Sequence, residues 1–200
     1  MKHLNNLAIT AAVLLAFVLA GCASARHAPP PAEDPVHNKL NVTVNHSYDV
    51  AWKTLIEYVR SSFFVIDNFD KSAGVITLSF GGSHTAEYID CGPFTTRSKE
   101  VKYSGPYSSF LEQYAGAKLQ GKLNIFVTEL GPKQTRVKVN AQYTFKAPLT
   151  KPAEWAFESG FYATVALTQE HKAAGGPQTR TCQPTYKAEN AVIQAIKPLF

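Results

Sequence analysis

The middle of the chain alternates. From Lys118 to Thr128, Leu119, Gly121, Leu123, Ile125 and Val127 fall on one side of an extended strand. Lys118, Gln120, Lys122, Asn124, Phe126 and Thr128 fall on the other. After Gly131-Pro132-Lys133 the alternation resumes, Val137, Val139, Ala141, Tyr143 and Phe145 against Arg136, Lys138, Asn140, Gln142 and Thr144. A period of two on both sides of a Gly-Pro turn predicts a hairpin with one face on a core and the other in water.

Elsewhere the period lengthens. Trp52, Leu55, Ile56 and Val59 recur at i, i+3, i+4 and i+7, which predicts an amphipathic helix to about Ser61. Ser47 is placed to cap it, with Asp49 in the first turn where the helix dipole favours an acid. Ala188, Ala191, Val192, Ala195, Ile196 and Leu199 make a second such stripe, with Thr185 as its expected cap. Leu40–Val44, Phe63–Ile66, Val75–Phe80, Ala86–Cys91 and, more weakly, Lys99–Tyr103 read as strands. Asp67–Gly74 is rich in turn formers, and His171–Arg180 reads as a polar loop. Between Tyr107 and Tyr114 the pattern fits a helical turn or a loop. Glu154–Leu167 mixes Trp155, Phe157 and Phe161 with an Ala-rich end, and a strand is the preferred reading. The expected class is α+β: an antiparallel sheet of about 5–6 strands with an N-terminal and a C-terminal helix on one face.

The first residues change the picture. Met1-Lys2-His3 is followed by an uncharged, mostly apolar run of 14 residues, Leu7–Ala20. That is short of the ~20 residues that span a bilayer and suits the core of an export signal. The run ends in Leu19-Ala20-Gly21-Cys22, which matches the bacterial lipobox: small residues for a narrow protease site, then a thiol to take lipid. The expected organisation is a signal peptide at 1–21, lipidated Cys22 with a Pro-rich linker at 22–38, and one α+β domain at 39–200. Two or more acyl chains, at about 0.8 kcal/mol per buried methylene, hold stably where one does not. Ala23 rather than Asp after the cysteine resembles the outer-membrane default of Gram-negative lipoproteins. Extended at about 3.1 Å per residue, sixteen linker residues reach roughly 50 Å.

Cysteine count fits that compartment. Of the three, Cys91 and Cys182 remain after lipidation, which in an oxidising space reads as one disulfide, with a pair of free buried thiols as the rival. Formal charge is +5, falling to +4 once Lys2 leaves with the signal. That permits contact with anionic surfaces without requiring it.

The search for chemistry returns little. His27, His37, His46, His84 and His171 are dispersed, without metal-ligand spacing. His84 near Glu87 and Asp90 reads more simply as solvated polar residues. Gly81-Gly82-Ser83-His84 lacks the strand–turn–helix setting of a nucleophile elbow. There is no P-loop and no dinucleotide fingerprint, so the chain reads as a non-enzyme with no cofactor beyond the lipid. Lys118, Lys122, Arg136 and Lys138 offer a cationic strip for lipid headgroups, lipopolysaccharide or peptidoglycan, or else a solvated sheet face guarded against association. Tyr103, Tyr107, Phe110 and Tyr114 read as packing, or as the lining of a groove.

Ser47-Tyr48-Asp49-Val50-Ala51-Trp52, taken with Asp70-Lys71-Ser72-Ala73-Gly74-Val75-Ile76, resembles small envelope domains of the β-barrel assembly machinery lipoproteins. The resemblance implies a helix-grip-like arrangement and a role as an interaction module. Cys91, Cys182 and the segment 147–184 depart from that pattern. The expectation is therefore a lipid-anchored, periplasm-facing outer-membrane module that docks an envelope protein and binds no nucleic acid. The alternative is a binder of lipid, lipopolysaccharide or a peptidoglycan fragment in a pocket between sheet and helices.

Overall fold

A computed structural model of the chain describes residues 40–97, 100–167 and 179–200. Cys22, the linker with His27 and His37, and His171 lie outside the described residues. In chain order the elements are β1 (Asn41–Val44), α1 (Tyr48–Ser61), β2 (Val65–Asp70) and β3 (Val75–Gly82). A 3-10 turn (Thr85–Glu87) leads to β4 (Ile89–Asp90), β5 (Pro93–Arg97), β6 (Lys102–Pro106) and α2 (Tyr107–Ala115). Then come β7 (Lys118–Gly131), β8 (Gln134–Ala147), β9 (Ala153–Glu158), β10 (Ala163–Ala166), β11 (Thr179–Pro184) and α3 (Lys187–Ile196).

The class is α+β, and the antiparallel main sheet has six strands. Its order is β1-β8-β7-β3-β2, with β9 also on β8. The 14 residues of β8 are long enough to carry two partners along one edge, β1 against Thr135–Lys138 and β9 against Gln142–Ala147. A three-stranded sheet, β10-β11-β4, and the β5–β6 hairpin stand beside it.

The expected hairpin forms because every second residue has an apolar place to go. Leu119, Leu123, Ile125, Val127, Val137, Val139, Ala141, Tyr143 and Phe145 are buried, and α1 and α3 pack over that face and against each other. Pro132 fixes its own φ near −65°, which suits a turn that splays two-residue hairpins. An extra residue at Leu130, unopposed between Glu129↔Thr135 and Gly131↔Gln134, absorbs the mismatch. Gly121 is glycine for a packing reason: a Cβ there would lie 2.2 Å from the Phe80 ring, which fills the space and meets Tyr143 edge-on. From the helices, Trp52, Leu55, Val59, Val192, Ile193 and Ile196 are buried. Each large aliphatic side chain so buried contributes about 1.5–3 kcal/mol.

Several boundaries differ from expectation. Residues 67–70 continue β2, because a bulge at Asp67 lets the strand run past its own turn formers to pair with β3. Ala86–Cys91 is not one strand: a 3-10 turn and the two residues of β4 replace it. Lys99–Tyr103 shifts to β6, and its partner β5 was not foreseen; the pair is polar and short, so it carries little periodicity. Residues 107–114 are helical. Glu154–Leu167 is two strands, broken at Gly160, with Phe161 outside both. Thr179 and Arg180 belong to β11 instead of a loop. Thr185 does not cap α3. Its hydroxyl donates to the Glu87 carbonyl and its N–H to that of Tyr88, so the cap position passes to Tyr186. Ser47 does sit at the α1 cap position, but its hydroxyl makes no cap bond; Asp49 instead pairs with Lys71 at 2.8 Å.

Candidate functional site

The outward face of the main sheet carries all four predicted cationic residues. Lys118 and Lys122 lie on β7, Arg136 and Lys138 on β8, each exposed and without a carboxylate within salt-bridge distance among the described residues. They do not converge. Lys118 and Lys122 are four residues apart on one strand, about 13 Å at strand rise. Lys122 opposes Gln142, four residues from Lys138, so the same distance separates that pair. Charges this far apart in water are beyond the ~8 Å screening length at physiological salt. Closer pairs stand at the two ends of the row: Arg136 and Lys138, two residues apart on β8, are about 7 Å from each other at strand rise, and Lys118 has Lys146 directly opposite, itself paired with Glu154 at 3.3 Å.

The same face holds two grooves, end to end along β8 and β9. One, of about 560 Å³, is lined by Gln142, Tyr143, Thr144, Ala156, Phe157, Glu158, Phe161 and Tyr162. The other, of about 470 Å³, lies among Lys118, Gln120, Lys146, Pro148, Pro152 and Glu154. Successive rows link them: Gln142 opposes Glu158, Thr144 opposes Ala156, and Lys146 opposes Glu154. The wall at the first groove is built by a tight turn. The Phe161 N–H donates to the Glu158 carbonyl at 3.0 Å, and Gly160 between them has φ +86°. A positive φ at that position is cheap only for glycine. Phe161 is left 43% exposed beside the groove.

Beneath that turn lies a buried carboxylate. Glu189 of α3 is fully buried and accepts hydrogen bonds from the Tyr143 hydroxyl at 2.6 Å and the Ser159 hydroxyl at 2.7 Å. Ser159 also donates its N–H to the Ala141 carbonyl, and the Ala141 N–H donates to the Ser159 hydroxyl at 2.7 Å. Burial, and then the Glu189 charge, push the Tyr143 hydroxyl well above the ordinary tyrosine range. The network ties α3, β8 and the end of β9 into one unit. Sequence reading missed it, although Glu189 sits i−3 from Val192, i−4 from Ile193 and i−7 from Ile196, on the apolar stripe itself.

At the far edge of the sheet, β2 pairs with β3 on one side only; no described strand covers the other. Phe63, Val65 and Phe69 along it are 51%, 64% and 54% exposed.

The polar cluster around His84 is occupied with holding the fold. The Ser83 hydroxyl lies 3.1 Å from His84 Nδ1, both exposed. The nearby acid, Glu112, takes the His84 N–H at 2.8 Å and the Thr85 N–H and hydroxyl at 3.0 and 2.8 Å, so it anchors backbone and leaves the imidazole alone. Those bonds hold Glu112 below the usual carboxylate range against the opposing effect of its burial. Glu87 is bound to Lys187, and Asp90 takes the Gly92 N–H at 2.8 Å. Among the described residues no group of three His, Cys, Asp or Glu side chains could hold a metal.

Cys91 and Cys182 come to disulfide distance, sulfurs 2.01 Å apart, joining β11 to the loop after β4. Arg180 reinforces the junction. Its Nη1 donates to the Cys91 and Pro93 carbonyls at 3.2 and 3.1 Å, and its guanidinium stands 4.3 Å over the Tyr107 ring. Phe94, Tyr103, Tyr107, Phe110 and Tyr114 form a chain of ring contacts beside it, so these aromatics pack against one another, and of them Tyr103 also lines a groove of about 440 Å³ with Thr95, Thr96, Lys102 and Ser104. Compared with protein-family models, curated proteins and solved structures, the chain finds no match.

Proposed function

We propose that this chain is an exported lipoprotein, anchored to the outer membrane through Cys22 and facing the periplasm, that docks an extended segment of another envelope protein without catalysing a reaction. The open β2 edge carries the reading. A strand edge presents unpaired N–H and carbonyl groups, and a partner segment can extend the sheet there, its side chains meeting pockets or apolar neighbours. Natural edges are usually blunted with lysine, proline or cover. This one has a bulge and two aspartates but also Phe63, Val65 and Phe69 in the open. The linker's reach of roughly 50 Å suits a partner standing off the bilayer. A helix-grip-like mode of use, with the helices gripping one face and the sheet edge left free, is part of the same proposal.

A photocrosslinking residue at Val65 or Phe69, placed in the intact bacterium, tests it. One defined envelope protein should be captured from these positions, not from Thr128 on the outward face, and capture from Phe69 should vanish in a Val65→Lys background. Equal capture from Thr128, or capture of lipid alone, sinks the docking surface. Mass spectrometry of the mature chain tests the anchor separately: acylated Cys22 is expected, and an intact leader or a free Cys22 thiol rules it out.

A further inference from the structure

We infer that the trough along the outward face of β8 and β9 binds a linear, uncharged glycan. The inference is independent of the β2 edge, since the two features lie on opposite sides of the sheet's strand order. Length comes first. The lining runs from Gln142 to Ala147 along β8, about 17 Å at strand rise, and on to Pro148 just past its end, which is room for several sugar rings in line. The floor supplies donors and acceptors at regular intervals, through the Gln142 amide, the Thr144 hydroxyl and the Glu158 carboxylate in the first groove. Ala156, opposite Thr144, keeps the floor low in the middle. Phe161, half in water and rigidly placed by the Gly160 turn, gives an apolar plate against which a sugar's C–H face can lie.

The chemistry argues against the other occupants. β8, the strand under the trough, is hydrogen-bonded to β7 on one side and to β1 and β9 on the other, so it has no free backbone edge to offer a peptide strand, and β9, paired with β8 alone, is packed against β10 and β11. Recognition here must be by side chains. The ionised groups lining the trough are Lys118, Lys146, Glu154 and Glu158, two of each sign, with Lys146 and Glu154 already paired and Lys122 on the neighbouring strand opposite Gln142. Cations interleaved with carboxylates in this way give little field to draw in a polyanion. A neutral polymer rich in hydroxyl and amide groups matches it.

The full mature chain in detergent, titrated with a β-1,4-linked tetramer of N-acetylglucosamine, tests the proposal, with a heparin tetrasaccharide as the polyanion. Saturable binding of the neutral tetramer is expected. Phe161→Ala and Gln142→Ala should each weaken it tenfold or more, while Thr128→Ala leaves it unchanged. Far-UV circular dichroism checks that both groove variants keep their fold, and Thr144→Ala serves as a second floor variant should either fail to fold. No binding at millimolar tetramer, binding indifferent to the groove variants, or preference for heparin would each overturn it.

Discussion

Removing the carboxylate of Glu189 should unfold this protein more readily than any single surface change. In Glu189→Ala the Tyr143 and Ser159 hydroxyls lose their acceptor inside a core where Tyr143 and Ser159 are each about 1% exposed. A buried donor left unsatisfied costs about 1–3 kcal/mol, and a cavity replaces the four heavy atoms from Cγ outward. Against this stands the relief of no longer burying a charge, which is why the loss should stop near about 3–5 kcal/mol. Glu189→Gln keeps the shape and one carbonyl acceptor, so it should lose only about 1–2 kcal/mol. For a chain this size each kcal/mol moves Tm by about 2–4 °C, which puts the Ala variant roughly 6–20 °C down. Urea unfolding followed by tryptophan fluorescence, with the m-value checked for constancy, measures it. An Ala variant within 0.5 kcal/mol of the parent, by the same order-of-magnitude scale, or a Gln variant worse than Ala, would refute the reasoning.

Three further outcomes are expected. Reducing the Cys91–Cys182 pair frees a loop with a sequence separation of 91, worth about 4–5 kcal/mol in the chain-entropy model; a urea midpoint unchanged by dithiothreitol would contradict it. Stability should fall above about pH 10, where unfolded tyrosines ionise. Burial raises Tyr143 and pushes Tyr107 up to about 12, so the folded state holds protons the unfolded state gives up, and each such group costs about 1.4 kcal/mol per pH unit in that window. Urea midpoints that stay flat from pH 9 to 11.5 would exclude this. Arg180→Lys keeps the charge but loses the two bonds that Nη1 makes to the Cys91 and Pro93 carbonyls and the planar stack on Tyr107, and should cost about 1–2 kcal/mol; an unaffected thermal midpoint would show that the junction rests on the disulfide alone.

The strands β7 and β8 and the helices α1 and α3 were legible because each buries one face locally, and a face buried by one element writes its period of 2 or 3.6 into that element's own residues. The α+β class followed from their order. The proximity of Cys91 and Cys182 was arguable from cysteine count and compartment. What the chain could not show by itself was everything set by partners distant in sequence. Thr185 is a good cap by composition, yet the Glu87 carbonyl at the end of the 3-10 turn claims its hydroxyl. Lys118, Lys122, Arg136 and Lys138 share a face by alternation, but it takes the register to show that Arg136 and Lys138 sit together while Lys122 and then Lys118 each stand about 13 Å further along. Glu189 interrupts an apolar stripe and reads as noise until Tyr143 and Ser159 arrive from 46 and 30 residues away. The trough exists because β9 folds back onto the second half of β8, and the open edge at β2 because nothing described lies beyond it. Local patterns state which face of an element is buried; which elements meet, and what they leave exposed between them, is decided only when the whole chain closes on itself.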